Sequence, residues 1–163
     1  MKSSSPDIPL TRLSIALVAY FCLSLQNLST AQTFEEEPIF LWPYSGVVTS
    51  EWGERFGSFH DGIDIACLRG APIKASRDGI VVRAGRNSRL GFHVMIDHKD
   101  GFKTVYGHGS ETTVKENQEV SAGDSVILCG STGISTGPHL HFEVYKDGEK
   151  INPRKVLGSR PVY

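Results

Sequence analysis

Residues 139–151, HLHFEVYKDGEKI, decide how this chain folds. Polar and apolar residues alternate through the first half of the segment, which is typical of a half-buried β-strand. The Asp147-Gly148 pair that follows is a common two-residue hairpin turn and predicts that the strand reverses into a second one. Because side chains two residues apart share one face of a strand, His139 and His141 are predicted to point in the same direction.

The remainder of the chain has the same character. Glycines separate short β-rich runs from about Trp42 onward, and DHKDGF (97–102) contains a second Asp-Gly hairpin signal. With 163 residues, 39% of them hydrophobic, the chain can bury the core of one domain. We therefore predict a compact all-β domain. The formal net charge of -1 gives no support for nucleic-acid binding, and we expect no such partner.

The N-terminal residues resemble a secretory signal. Lys2 and Arg12 precede a mostly apolar run, 13–25, which is shorter than the roughly 20 residues of a transmembrane helix. The small residues of STA (29–31) fit a cleavage site. The alternative is an uncleaved membrane anchor. We predict export and the following organisation: signal peptide 1–31, linker 32–41, domain 42–155 and C-terminal tail 156–163.

Two cysteines follow the signal, Cys67 and Cys129. An oxidising compartment would permit a disulfide between them. Two buried, unpaired cysteines are an equally good interpretation. Zinc ligation is a third, although neither cysteine has the short CxxC spacing of a strong zinc motif.

Three further positions join the histidine pair. HDGIDIA (60–66) places His60 and Asp64 four residues apart, and VYGHG (105–109) places His108 near the end of a predicted strand. A catalytic zinc takes three ligands from His and carboxylate side chains. His60, Asp64 and one histidine of the 139/141 pair would supply them. The two histidines left over would lie beside the metal as general base and hydrogen-bond donor.

The alternative is that these residues are ordinary surface-turn residues with no shared site. Two more histidines have weaker signals. His93 could face either side of its strand, and His98, in a predicted hairpin turn, is expected to be solvated.

Four segments then occur in an order that resembles a known family. They are WPYSGVVTSEWGERFG (42–57), FHDGIDIACLRGAPIKASRDGIVVRAG (59–85), VMIDHKDGFKTVYGH (94–108) and GSTGISTGPHLHFEV (130–144). They are similar to the successive motifs of lysostaphin/LytM-type zinc metallopeptidases, which cut peptide bridges in bacterial peptidoglycan. The resemblance runs from about Trp42 to about Pro153. It implies an antiparallel split-barrel domain, similar to a duplicated hybrid motif, with a groove floored by the sheet and walled by loops.

The resemblance also implies roles. His60, Asp64 and His141 match the zinc ligands, and His108 and His139 match two catalytic histidines that do not bind the metal. The implied activity is zinc-dependent hydrolysis of the peptide cross-links of peptidoglycan. We further expect a monomer, located in the periplasm or cell envelope because of the predicted signal peptide. The implied partners are stem peptides or bridges, with no membrane partner after signal cleavage.

Two other functions compete with this one. Some relatives are non-catalytic regulators that bind and activate other cell-wall hydrolases, although such members usually lose ligand positions and this chain keeps all five residues. A carrier or phosphotransfer domain of related β architecture is the other, and the predicted signal peptide argues against it.

The chain departs from the family pattern near the site. Only ERFGSF lies between Gly53 and His60, which predicts a lower wall and a more open groove. No tyrosine lies between Trp52 and His60, where some members have one that helps to bind an oxyanion. Gly109 follows His108 where leucine is usual. None of these changes affects a predicted metal ligand.

Overall fold

The computed structural model describes residues 40–158, so the predicted signal peptide and residues 32–39 of the predicted linker lie outside the described part. This part contains thirteen strands, one short 3-10 helix and no α-helix, and all strand pairs in its sheets are antiparallel. The all-β antiparallel prediction is therefore confirmed. The elements are β1 (Val48–Ser50), β2 (Gly53–Arg55), β3 (Ser58–His60), β4 (Ile63–Ala66), β5 (Pro72–Lys74), β6 (Gly79–Asn87), β7 (Gly91–Asp97), β8 (Phe102–Gly109), β9 (Glu111–Thr112), β10 (Glu119–Val120), β11 (Ser125–Leu128), β12 (His139–Lys146), β13 (Glu149–Ile151) and the 3-10 helix Pro153–Lys155.

The largest sheet has eight strands. Seven of them run in the order β1-β4-β12-β8-β7-β6-β10, and β13 pairs with β12. A second sheet has the order β5-β11-β9, and β2 and β3 form a separate hairpin. No helix in residues 40–158 is long and apolar enough to cross a membrane.

Both predicted Asp-Gly hairpins form. β12 and β13 are joined by Asp147 and Gly148, whose φ angles of 50° and 87° lie in the left-handed region that such tight turns require. β7 and β8 are joined by the second hairpin, in which Lys99 and Gly101 have φ angles of 65° and 87°. Local turn chemistry therefore sets the register of the β12–β13 and β7–β8 hairpins.

The alternation in β12 separates core from site. Leu140, Phe142 and Val144 are buried in the core together with Ile63 and Ile65 of β4. Burying each of these side chains stabilises the fold by about 1.5–3 kcal/mol. The intervening residues of both strands face the other way. Pairing of β12 with β4 sets His141 directly opposite Asp64 and His139 opposite Ala66.

A close approach at Gly62 brings the turn before β4 against β12. A Cβ atom at this position would lie 2.4 Å from the carbonyl oxygen of Phe142 and 3.1 Å from the ring of His141. Such distances are too short for any side chain, so only glycine lets the HDG turn pack against the strand that carries His141.

The core extends beyond the predicted domain limits of 42–155. Phe40, assigned above to the linker, is 0% exposed, and Val156 and Leu157, assigned to the tail, are buried. Phe40 and Leu157 form a parallel bridge, and the amide of Phe40 donates to the carbonyl of Val156 at 2.9 Å. The two ends of the described chain therefore close the domain against each other.

A disulfide joins Cys67 and Cys129, so the structure selects one of the three interpretations of these cysteines. The bond links the residue after β4 to the residue after β11, across 62 positions in sequence. A loop of this length corresponds to roughly 4 kcal/mol of stabilisation if it acts on the entropy of the unfolded chain.

The expectation that His98 is solvated is wrong, because its side chain is buried. Its Nδ1 donates to the carbonyl of Asp78 at 2.7 Å, and its Nε2 lies 2.9 Å from Thr104 Oγ1. Phe40 packs edge-on against the imidazole at 5.4 Å between ring centroids. Lys99 and Asp100 at the tip of the hairpin turn are exposed, but Phe40 covers His98 at its start.

Candidate metal centre

Two imidazoles and one carboxylate converge where the end of β3 meets β4 and β12. Asp64 Oδ1 lies 3.1 Å from His60 Nε2 and 2.8 Å from His141 Nδ1, and the two nitrogens are 3.1 Å apart. Tetrahedral ligands with bond lengths of about 2.0–2.1 Å are separated from one another by about 3.4 Å. The three predicted ligands thus form a triangle, here called the ligand triangle, that could hold one metal ion.

A hydrogen bond from the outer nitrogen of each imidazole orients its inner nitrogen. His60 Nδ1 donates to the carbonyl of Glu51 at 2.8 Å, and His141 Nε2 donates to the carboxylate of Glu143 at 3.1 Å. When the inner nitrogens are unprotonated, they direct lone pairs towards Asp64 Oδ1. Such lone pairs repel one another unless a proton or a cation lies between them. The donor set and its outer hydrogen bonds therefore fit a zinc site.

Charge at the ligand triangle also favours a cation. Burial acts to raise the pKa of Asp64, but hydrogen bonds from His141 and His60 outweigh it and hold that pKa far below its usual range. Burial acts to lower the pKa of His141, whereas its hydrogen bonds to Asp64 and Glu143 raise that pKa above its usual value. Two carboxylates thus flank His141, and a metal that displaced its Nδ1 proton would enter a negative environment.

Glu143 is only 2% exposed and carries its charge among several partners. Lys150 Nζ lies 3.1 Å from Oε1, and the Tyr145 hydroxyl donates to Oε2 at 3.1 Å. Burial acts to raise the pKa of Glu143, and its bond to His141 is the largest of the effects that lower it below the usual value. Lys150 also binds Asp61 at 2.7 Å, which ties the HDG turn to this network.

His108 and His139 lie beside the ligand triangle, with ring centroids 4.8 Å apart. His139 Nε2 is 3.7 Å from Asp64 Oδ1. Each ring is oriented by a backbone carbonyl, because His108 Nδ1 donates to Thr132 O at 2.8 Å and His139 Nδ1 donates to Gly137 O at 2.9 Å. Nε2 of each ring is therefore left for chemistry in the groove. Burial lowers the pKa of His108, which favours its neutral form.

Both carbonyls belong to one segment, residues 129–138, here called the β11–β12 loop. Thr132 Oγ1 donates to the carbonyl of Gly109 at 2.6 Å and accepts from the amide of Phe92 at 2.9 Å. The amide of Ile134 donates to the carbonyl of Arg89 at 2.9 Å. These bonds fix the loop to the ends of β7 and β8, so the orientation of both imidazoles is set by the fold.

The backbone around His108 explains one departure from the family pattern. His108 has a φ of 64°, which is uncommon for a residue other than glycine. At the next residue, Gly109, a Cβ atom would lie 2.3 Å from Ile127 Cδ1 and 3.1 Å from Leu128 O. Glycine here lets the strand end pass close to β11, where the usual leucine would require the Ile127 side chain to move.

The short segment before His60 forms the β2–β3 hairpin, which turns at Phe56 and Gly57. At the end of β2, Arg55 donates from Nη2 to Asp64 Oδ2 at 3.0 Å and also contacts Ser50 Oγ. Asp64 therefore uses one oxygen for Arg55 and the other for the ligand triangle.

The structure brings together all five residues predicted from the sequence. The hydrogen bonds described for His93 and His98 go to other groups: His93 bonds to the carbonyl of Gly91, and His98 to Asp78 and Thr104. Sequence reasoning did not find Glu143, although the alternation of β12 places it on the same face as His139 and His141. It also did not find the orienting carbonyls, because a backbone carbonyl has no signature in a sequence.

Residues 58–153, more than half of the chain, match the profile of peptidase family M23. The chain belongs to peptidase family M23. The matched range includes all five site residues, and the resemblance to LytM-type peptidases is confirmed. Membership of this family supports a function related to peptidoglycan.

Two relatives of this M23 chain differ in the activity that their names state. The DD-carboxypeptidase/endopeptidase Mpg of Neisseria meningitidis serogroup B is 43% identical over 102 residues, 63% of this chain and 24% of Mpg. The murein hydrolase activator NlpD of Escherichia coli K12 is 40% identical over 120 residues, 73% of this chain and 31% of NlpD. The chain thus spans about a quarter to a third of the length of these relatives.

A solved structure agrees with the fold. The crystal structure of a zinc-containing peptidase from Vibrio cholerae matches with a TM-score of 0.68 at 31% sequence identity, over 77% of this chain and 41% of that chain.

Proposed function

We propose that this protein is a zinc-dependent endopeptidase that hydrolyses peptide cross-links of bacterial peptidoglycan. The observation that carries the proposal is the completeness of the site: the ligand triangle of His60, Asp64 and His141 stands beside two imidazoles, His108 and His139, that keep Nε2 for chemistry. Mpg, which is named as an endopeptidase, supports the same activity.

The ligand triangle would hold zinc, which supplies polarisation of the scissile carbonyl and lowers the pKa of a bound water towards about 7. The residues around it have separate tasks. Glu143 and the carbonyl of Glu51 orient the two ligand imidazoles. Nε2 of one of His108 and His139, in its neutral form, accepts the proton of the attacking water. The other ring, in its protonated form, donates a hydrogen bond from Nε2 to the oxygen that becomes negative during hydrolysis.

We also propose that the protein acts outside the cytoplasm, in the periplasm or cell envelope. The sequence pattern of residues 1–31 supports export. The disulfide between Cys67 and Cys129 supports the same location, because such bonds persist in oxidising compartments.

A second candidate function is activation of another cell-wall hydrolase. Similarity to NlpD favours it, since that relative is named as an activator and shares 40% identity over 120 residues. An activator needs the fold and a binding surface, whereas hydrolysis needs all five side chains. The two functions therefore differ in what a substitution at His108 or His139 would do.

Digestion of purified peptidoglycan by the zinc-loaded protein tests the proposal. Mass analysis of the released fragments should show cleaved peptide cross-links and identify the bond. Protein treated with a chelator is the control and should release nothing until zinc is restored. Release of no fragment by the zinc-loaded protein, with stimulation of a separate hydrolase, would favour the activator.

Single substitutions then separate the two halves of the site. Asp64→Ala and His141→Ala should lose zinc and activity together, because each removes one of three ligands. His108→Ala and His139→Ala should keep one zinc per molecule while turnover falls by roughly 10²–10⁴-fold, the usual contribution of general acid–base catalysis. Metal analysis and fragment release are measured on the same preparations. Undiminished turnover in the last two variants contradicts the roles given to these residues.

A further inference from the structure

The groove that leads to the ligand triangle has one positive charge on its wall. Its lining includes Arg55, Asp64 and His139, together with Thr136 and Pro138 of the β11–β12 loop. Among the described residues that line this groove, Arg55 is the sole cation. A negatively charged group that enters the groove therefore has one arginine to bind, in addition to the metal that the ligand triangle would hold.

The guanidinium of Arg55 is held by hydrogen bonds at Nη2, and its side chain is partly exposed to solvent. Its Nη2 carries both of its side-chain hydrogen bonds in residues 40–158, to Asp64 Oδ2 at 3.0 Å and to Ser50 Oγ. Its side chain is 42% exposed. Nε and Nη1 are therefore left to make hydrogen bonds outside the protein. A guanidinium with free donors in a fixed plane matches the geometry of a carboxylate.

We propose that Arg55 determines specificity by binding a carboxylate of the peptide substrate close to the bond that is cleaved. Arg55 contacts a residue of the ligand triangle directly, and one residue of extended peptide spans only about 3.3–3.6 Å. The carboxylate therefore belongs to a residue beside the scissile bond. This inference rests on the proposed function, which makes the substrate a peptide. The negative charge of the bound group is inferred from Arg55.

The carboxylate can come from the end of a peptide or from within it, and four synthetic probes separate these sources. The parent probe is the stem pentapeptide L-Ala-γ-D-Glu-L-Lys-D-Ala-D-Ala. The other three carry an amide in place of the C-terminal carboxylate, of the α-carboxylate of the γ-D-Glu residue, or of both. Dissociation constants are measured where the probe survives, and kcat/KM is measured where it is cleaved, at saturating zinc.

The wild-type protein should prefer the parent probe to the doubly amidated probe by about tenfold or more, the usual size for a hydrogen bond to a charged group. Arg55→Gln should reduce this preference to less than about twofold without loss of zinc at saturation. Arg55→Lys keeps the positive charge but loses the planar set of guanidinium donors. Its preference for the parent probe should lie between those of the wild type and Arg55→Gln. Arg83→Gln, an exposed arginine on β6 three strands from β12, is the matched control and should keep the wild-type preference.

Loss of preference with one singly amidated probe identifies which carboxylate Arg55 binds. An equal preference in wild-type and Arg55→Gln proteins, or no measurable binding or cleavage of any probe by the wild type, overturns the inference. A carboxylate preference in binding without cleavage of any probe or of peptidoglycan supports the Arg55 site and contradicts the endopeptidase. Cleavage of the probes without a preference for the carboxylate supports the endopeptidase and contradicts the Arg55 site.

Discussion

Glu143, on the same strand as His141, orients the imidazole of this predicted metal ligand. It accepts from His141 Nε2 and is itself held by Lys150 and Tyr145, so the ring of His141 has one orientation and one available nitrogen. Zinc ligands with such partners commonly lose 10–100-fold in metal affinity when the partner is removed.

We therefore expect Glu143→Ala to lower zinc affinity by about 10–100-fold. Glu143→Gln should lose less, because its amide oxygen can still accept from His141. Zinc affinity is measured by competition with a chromogenic chelator. Glu149→Gln, at an exposed glutamate on β13, is the control and should bind zinc like the wild type. Wild-type affinity in Glu143→Ala would show that packing alone orients His141.

At the residue scale, the sequence predicts site residues whose side chains are typical metal ligands or acid–base groups. The HxxxD and HxH spacings, with the intervening His108, predicted the five residues that the structure brings together, and the family resemblance separated His141 from His139. Their spatial meeting depends on pairing of β4 with β12, which brings Asp64 against His141 across 77 positions in sequence. The spacing within each motif does not contain that information. Arg55 had no signal at all, because an arginine in a short hairpin is ordinary.

Turn chemistry acts at the scale of single elements. Gly148 has a φ of 87°, and a Cβ atom there would meet nothing within 4 Å, so its substitution tests backbone conformation alone. Gly148→Ala should lower the free energy of unfolding by about 1–2 kcal/mol, the cost of a left-handed conformation with a side chain. Denaturant unfolding measures it.

Gly85→Ala on β6 is the matched control for this hairpin. Space around Gly85 is also open, but its backbone is not in the left-handed region. The substitution should be neutral or slightly stabilising, because alanine restricts the unfolded chain. Equal destabilisation by both substitutions would mean that the Asp147-Gly148 turn does not set the hairpin.

The disulfide is the other element-scale support. Replacing Cys67 and Cys129 together by alanine should lower the free energy of unfolding by about 2–4 kcal/mol. For a domain of this size the corresponding drop in Tm is about 5–15 °C. Thermal unfolding with and without dithiothreitol measures it. The reductant should destabilise the wild type and leave the double variant unchanged, and any other pattern contradicts a disulfide in the folded protein.

Hairpins and alternation predicted the local elements, because Asp-Gly turns and period-two patterns act within a few residues. Sheet order was not predictable in this way. The strands on either side of β12 in the eight-stranded sheet, β4 and β8, come from distant parts of the sequence, and the disulfide pairing depends on where β4 and β11 end. These features are set by packing of the whole core.

For the whole molecule, the contact between the two ends of the described part, residues 40 and 156–158, places Phe40 against the buried His98. Burial lowers its pKa, against the opposing effect of its bond to the carbonyl of Asp78. The unfolded chain has an ordinary histidine pKa of about 6.5. As pH falls below that value, the unfolded state takes up a proton that the folded state does not, so the free energy of unfolding decreases.

We expect zinc-saturated wild-type protein to lose more stability between pH 7.5 and pH 5.5 than His98→Gln, which keeps polar groups at the site but does not titrate. Urea unfolding at both pH values measures the difference. Zinc release and all other titrations are common to both proteins, so the difference in slope reports His98. Parallel slopes would show that His98 protonates equally in the folded and unfolded states.

The same contact shows why the domain limits could not be read from the sequence. Phe40 follows an acidic stretch, and Val156 and Leu157 lie close to the C-terminus, so local composition suggests linker and tail. Only their contact with each other and with the core makes them part of the domain.

The site has two separate supports, the large sheet and the β11–β12 loop. Asp64 and His141 sit on paired strands of the large sheet, whereas His108 and His139 take their orientation from carbonyls of the loop. The loop also forms part of the groove wall. Exchange of this loop would therefore change the groove wall and the orientation of the two imidazoles outside the ligand triangle, whereas Asp64 and His141 would keep the support of their paired strands.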